Sequence, residues 1–320
     1  MKYLLYSLAG IAIIFITAAL AFYFWPTTNK QLQNSTPATN TYQQSVKQIE
    51  SLVATQKAAA VTDDCTSQLM THNEKTAKTV ILFHGITACS AQFKAFGQQL
   101  FDAGYNVYIP LAPYHGTNDS QGHKDVRSLD LVNYANQSVT IATGLGNEVG
   151  VIGLSGGAVV ATWAAEYRPE VTRLLALSPF YEPAASQAPK WQLPILKKLY
   201  GSHILANSST EPDGKGFSLW ALANYLVLVD NFKKDPADLN LKSIAVVESA
   251  SDDVIDLDKA VQVPQEIADS NGLPLYSKTI PAEWNVGHAI VSPDEKGVAK
   301  HQQQLFDLYQ AYYEGRQYNL

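Results

Sequence analysis

The sequence predicts an α/β protein: a doubly wound, mostly parallel sheet covered by helices on both faces, with a helical cap inserted late in the chain. Three observations predict it. From Ser67 onward, short continuous apolar runs alternate with longer amphipathic stretches, as expected of parallel strands buried on both faces. One of those runs, Val149 to Leu154, passes through Gly153-Leu154-Ser155-Gly156-Gly157 directly into a helix-forming stretch. Finally, Pro179 to Lys242 is far longer than the dozen or so residues a simple crossover needs, so an extra element must be housed there. The chain has 320 residues, of which 46% are hydrophobic, enough for one large core.

In order, Thr79 to Phe83 reads as a strand, Ala91 to Ala103 as a helix closed by Gly104, and Tyr105 to Ile109 as a strand. Leu129 to Thr143 reads as a helix, Val149 to Leu154 as a strand, Gly156 to Arg168 as a helix stopped by Pro169, and Leu174 to Leu177 as a strand. The long gap, about 180–240, holds two apolar clusters, Trp191 to Tyr200 and Phe217 to Val229, the second with helical spacing. One helix fits the sheet domain; the rest form a cap with an apolar underside over the strand edge where ligands of open α/β sheets bind. Ile244 to Glu248 is then a strand, Leu257 to Asp269 a helix, Leu275 to Ile280 a strand, and Pro293 to Tyr313 the last helix.

Two segments precede this domain, which begins at about residue 63. Tyr3 to Trp25 is a run of 23 residues without charge, long enough to span a bilayer. It is either a signal peptide, with Ala19-Leu20-Ala21 as cleavage site, or an uncleaved signal anchor. The aromatic cluster Phe22 to Trp25 suits a membrane interface and favours the anchor. Either way, residues after Pro26 lie outside the cytoplasm, membrane-bound or secreted. Residues 27–41 are polar and read as a flexible tether, and Tyr42, Val46, Ile49, Leu52 and Val53 then recur at helical spacing, predicting a short helix before residue 63. The two cysteines, Cys65 and Cys89, are expected to pair in an oxidising compartment.

Composition excludes some functions. The net charge is −6, and no run of Lys and Arg is interleaved with aromatics, so nucleic acid is not an expected partner. No cofactor motif and no metal-ligand spacing occurs, and neither group is expected.

The chemistry converges on Ser155. A turn this tight between strand and helix leaves no room for side chains at Gly153 and Gly157. The helix that follows brings its positive end and the Gly156 N–H beside the serine hydroxyl, where they would stabilise negative charge on an attacked carbonyl. Such a serine needs a base and an acid to orient it. Of the seven histidines, His288 follows the last strand and shares a sheet edge with Ser155. The acid should end the strand before it, where Asp252, Asp253 and Asp256 cluster.

These residues resemble the α/β-hydrolase superfamily over roughly Ser67 to Tyr313. The elbow Gly153 to Gly157, the step His84-Gly85-Ile86-Thr87 and the turn Pro113-Tyr114-His115-Gly116 each match. The resemblance implies Asp252 as the acid, through its spacing to Val254 and Ile255, and His288 as the base, through Gly287-His288-Ala289. It also implies the backbone N–H groups of Ile86 and Gly156 as oxyanion donors. Members resembling carboxylesterases and monoacylglycerol lipases are nearest in layout, although Ile86-Thr87-Ala88-Cys89 replaces the Gly-rich loop of some esterases. The implied activity is hydrolysis of a small ester or lipid through an acyl-enzyme. A peptidase, a lactonase, an acyltransferase or a non-catalytic ligand-binding protein would share the fold.

Overall fold

The computed structural model describes residues 2–211 and 216–320. Seven strands form one sheet in the order β1-β3-β2-β4-β5-β6-β7. They are β1 (Gln68–Met70), β2 (Thr76–Phe83), β3 (Asn106–Ile109), β4 (Gly146–Leu154), β5 (Val171–Leu177), β6 (Ser243–Ser249) and β7 (Leu275–Ile280). All neighbours are parallel except β1, which runs antiparallel to β3. This three-residue edge strand has no apolar run to announce it, and the sequence reading passed over it.

Helices cover both faces: α3 (Lys94–Asp102) and α9 (Lys296–Tyr313) on one, and α4 (Ser128–Leu145), α5 (Gly156–Tyr167) and α8 (Leu257–Ser270) on the other. Alternate strand residues serve the two sides. Ile81, Phe83 and Val151 pack with the α4–α5 layer, whereas Val80, Leu82 and Ile152 pack with α3 and α9. Both faces are dry, which is why these strands read as continuous apolar runs.

The chain steps from β2 outward to β3 and then back across to β4, so the winding direction reverses between β2 and β4. Ligands of such sheets bind at that crevice, beyond the strands' carboxyl ends. Register aligns those ends: Phe83 pairs with Gly153, Leu154 with Leu177, and Leu177 with Val247.

Among the described residues, the long insertion holds two α-helices, α6 (Leu193–Leu199) and α7 (Leu219–Val229). Helix α7 belongs to the domain body, with Ala221, Tyr225, Leu226 and Leu228 in the α4–α5 core, while α6 rests on α7 as the cap.

The N-terminal region adds α1 (Lys2–Phe24) and α2 (Tyr42–Ala58). Helix α1 is apolar and lies free of the domain except at its C-terminal end. The segment between them differs from the flexible tether expected. Its polar residues make directed bonds: Asn29 N–H donates to Asn231 Oδ1 (2.6 Å), Thr36 N–H to Asn136 Oδ1 (3.0 Å) and Asn40 N–H to Thr143 Oγ1 (3.0 Å). Leu32 is buried, and its carbonyl accepts from Trp163 Nε1 at 2.6 Å. Thr41 and Gln44 then form a capping box that starts α2, whose Ser45 and Ile49 are buried against α4. The segment is thus part of the folded body.

Candidate active site

Ser155 sits between β4 and α5 with φ 56° and ψ −120°, a strained conformation for a residue with a side chain. Its neighbours enforce it. A Cβ on Gly153 would lie 2.2 Å from Gly157 O, and one on Gly157 would lie 2.0 Å from Phe83 O. Backbone bonds lock the turn, with Ser155 N–H donating to Leu177 O at 2.9 Å and Phe180 N–H to Ser155 O at 3.2 Å. Gly156 is the first residue of α5, so its N–H has no carbonyl one turn earlier to donate to and faces the site.

Asp252 lies in the loop after β6 and His288 in the loop after β7. His288 Nδ1 is 2.7 Å from Asp252 Oδ2, and the Asp252 side chain is fully buried. Asp252 Oδ1 accepts from Val254 N–H at 3.0 Å, which fixes the carboxylate plane. As a carboxylate only accepts, Nδ1 carries the proton and Nε2 is left as an acceptor. Asp253, by contrast, is exposed. Ser155 Oγ and His288 Nε2 are both buried and have no hydrogen-bond partner among the described residues. The histidine and acid are therefore brought together, while the bond from serine to histidine is not made.

The loop carrying Ile86 is held from four sides. His84 is buried; its Nδ1–H donates to Gly85 O (2.9 Å) and its Nε2 accepts from Ala112 N–H (3.0 Å). Burial, reinforced by neighbouring His115, lowers its pKa to about 3, so the ring is neutral. His115 Nε2 lies 2.7 Å from Ile86 O and Nδ1 2.7 Å from Pro113 O, and burial pushes its pKa below the ordinary histidine value. Gln92 accepts from Gly85 N–H (2.9 Å) and donates to Ser292 Oγ (3.2 Å), tying this loop to the one after β7. A disulfide joins Cys65 to Cys89, at the far end of the same loop.

Sequence reasoning named Ile86 but missed its supports. His84 and His115 stood in matched motifs without a role, and Gln92 carried no signal at all. Tyr225 of α7 was likewise missed, although a Cβ on Gly156 would fall 2.8 Å from its ring.

Beneath the cap lies a cavity of about 750 Å³. Its apolar wall comes from Trp191, Ile195, Leu196, Phe217, Leu222 and Leu226, and it reaches Phe180 and Val254, beside Ser155 and Asp252 respectively. A chamber of this size and lining suits an apolar small molecule.

The sequence model of a family described as serine aminopeptidase, S33, matches residues 74–215. No curated protein matches the chain by sequence. Solved structures do. One of the metagenome-derived lipolytic enzymes LipS and LipT superposes with a TM-score of 0.56 at 14% identity, covering 80% of this chain and 100% of that one. A soluble variant of monoglyceride lipase from Saccharomyces cerevisiae, in complex with a substrate analogue, gives 0.55 at 14% identity over 79% and 92%. Est1E from Butyrivibrio proteoclasticus, with ferulic acid bound, gives 0.53 at 17% identity over 77% and 94%.

Proposed function

We propose that the chain is a serine hydrolase of carboxylic esters, with Ser155 as nucleophile, His288 as base and acid, and Asp252 as the group orienting His288; the family model matched over residues 74–215 and the α/β-hydrolase-like fold support this reading. The observation that carries this reading is the 2.7 Å contact between His288 Nδ1 and Asp252 Oδ2. In the neutral ring that contact makes Nε2 the acceptor, on the same sheet edge as a serine held in a strained turn. In unliganded sites the contact from nucleophile to base is often long and tightens with substrate.

In the proposed reaction Ser155 Oγ attacks the ester carbonyl while His288 Nε2 takes its proton. The developing oxyanion is bound by the N–H groups of Ile86 and Gly156. His288 passes the proton to the leaving alcohol, and the acyl group stays on Ser155. A water molecule then gives its proton to His288 and attacks the acyl-enzyme, and the acid leaves as His288 returns that proton to Ser155 Oγ. The apolar wall of the cavity beneath the cap receives the acyl chain. The names of the similar esterases and of the monoglyceride lipase agree with an ester substrate. The test is turnover of p-nitrophenyl esters of graded chain length against aminoacyl anilides. Ester turnover that rises with chain length supports the reading; turnover confined to the anilides overturns it.

We also infer that α1 is retained as an anchor and holds the domain on the extracytoplasmic side of a membrane. Its 19-residue apolar window has a mean hydropathy of 2.2 and no buried residue. Its last carbonyls, Phe22 O and Tyr23 O, accept from Lys198 Nζ. A cationic side chain thus satisfies the helix's C-terminal carbonyls. The disulfide fits an oxidising compartment.

A further inference from the structure

The end of α1 docks on the cap, against α6 and the segment just before it. Lys198 of α6 donates to the Phe22 and Tyr23 carbonyls, its ammonium lies 5.4 Å from the centre of the Phe22 ring, and Tyr23 Oη donates to Trp191 O at 3.0 Å. Thr27 Oγ1 also bonds Asp230, which Lys197 of α6 engages at 2.7 Å. The cap is therefore fixed at the level where an apolar helix of 23 residues ends. Such a helix is about 35 Å long and spans the hydrocarbon with its ends in the interfacial zone. At that level the cap exposes large apolar side chains: Trp191 is 61% exposed, Ile204 65% and Leu205 41%. Ile204 lines the same surface hollow as Phe22 and Trp25. Trp191, in turn, is part of the wall of the cavity that reaches Phe180 and Val254.

We propose that the cap is a second membrane contact: Trp191, Ile204 and Leu205 sit in the interface of the bilayer that α1 crosses, and the cavity beneath the cap is loaded from that bilayer. This rests on the reading of α1 as a retained membrane helix. A hydrophobic patch contiguous with a membrane-spanning helix is covered by the same lipid that surrounds the helix. Tryptophan in such a position sits with its ring at headgroup depth. A substrate already dissolved in the leaflet then reaches Trp191 without crossing water.

The test uses the full-length protein reconstituted in phosphatidylcholine vesicles with either plain or dibrominated acyl chains. Bromine quenches tryptophan only within the lipid. Comparing W25F with the double variant W25F/W191F isolates Trp191, and comparing W191F with the same double variant isolates Trp25, which reports insertion of α1 itself. Quenching of both is expected. Quenching of Trp25 without Trp191 overturns the cap contact and leaves the anchor standing; quenching of neither overturns both. A second measurement uses I204S/L205S, two substitutions outside the cavity wall. Turnover of water-soluble p-nitrophenyl acetate should be unchanged, while hydrolysis of a long-chain ester embedded in the same vesicles should fall about tenfold, since interfacial docking scales with apolar area. Equal rates on the embedded ester overturn the proposal. Absence of ester hydrolysis by the unmodified protein would instead refute the esterase reading and leave the quenching result to decide the cap contact.

Discussion

Replacing Asp252 by Asn reverses one hydrogen bond beneath the proposed base. Asp252 Oδ1 accepts from Val254 N–H at 3.0 Å, and Oδ2 lies 2.7 Å from His288 Nδ1 with the side chain fully buried. In the variant the Val254 bond holds the amide oxygen in place, which turns the amide NH2 toward His288. Nδ1 must then accept, the ring proton moves to Nε2, and the nitrogen that should take the serine proton is already occupied. Such a tautomer switch lowers kcat by about 10⁴, equal to about 5.4 kcal/mol of transition-state stabilisation. KM should change little, because the amide touches no substrate. The assay is steady-state turnover of p-nitrophenyl butyrate, with the far-UV spectrum and melting temperature checking that the variant folds. Asp253→Asn is the control: its side chain is exposed, and a change within about twofold is expected, as for ordinary surface substitutions. A folded Asp252→Asn enzyme within tenfold of the unmodified rate, or an equal loss at Asp253, refutes the reasoning.

Reduction of the Cys65–Cys89 bridge releases a loop with a sequence separation of 24. Loop entropy puts the loss at about 3.5 kcal/mol, or about 7–14 °C in melting temperature for a domain of this size. Turnover should fall as well, since the loop carries Ile86; calorimetry and kinetics with and without reductant check both. Glu166 is buried, accepts from Lys233 N–H at 2.7 Å, and burial raises its pKa from 4.5 to about 8. An acid whose folded pKa is raised contributes stability fully present below the unfolded value and lost as pH rises toward the folded one. The melting temperature should therefore decline between pH 4.5 and about 8, and Glu166→Gln should flatten that decline; an unchanged slope removes Glu166 as its cause.

Much of the fold was legible because its signals are steric or periodic. The elbow needs glycine where a Cβ would strike Phe83 O or Gly157 O, and no other residue type fits. Leu275–Ile280 and Gly156–Tyr167 fall on the expected spans or within one residue of them, because apolar periodicity there coincides with burial. That His288 would meet an acid from the loop after β6 followed from chain order at a shared sheet edge, while Asp252 among the three aspartates there was implied by the family resemblance. What stayed hidden depends on partners distant in sequence. Strand β1 owes its existence to β3 rather than to its own three residues. Residues 27–41 look like a linker because Asn and Thr carry no burial signal, yet Asn136 and Asn231 supply the partners that fix them. Gln92 and His115 act by holding backbone groups of the Ile86 loop, and nothing in their local sequence marks that task. The seat of α1 on the cap likewise depends on Lys198, some 175 residues further on.

The most direct measurement is the mass of the protein after treatment with a fluorophosphonate, followed by peptide mapping of the adduct. One phosphonyl group per chain, carried on Ser155 and absent from Ser155→Ala of unchanged melting temperature, is expected of a nucleophile activated by His288 and served by the Ile86 and Gly156 N–H groups. Residual ester turnover in that variant should not exceed about a thousandth of the unmodified rate. An unlabelled folded protein, labelling at another residue, or turnover that survives loss of the Ser155 hydroxyl would contradict the assignment.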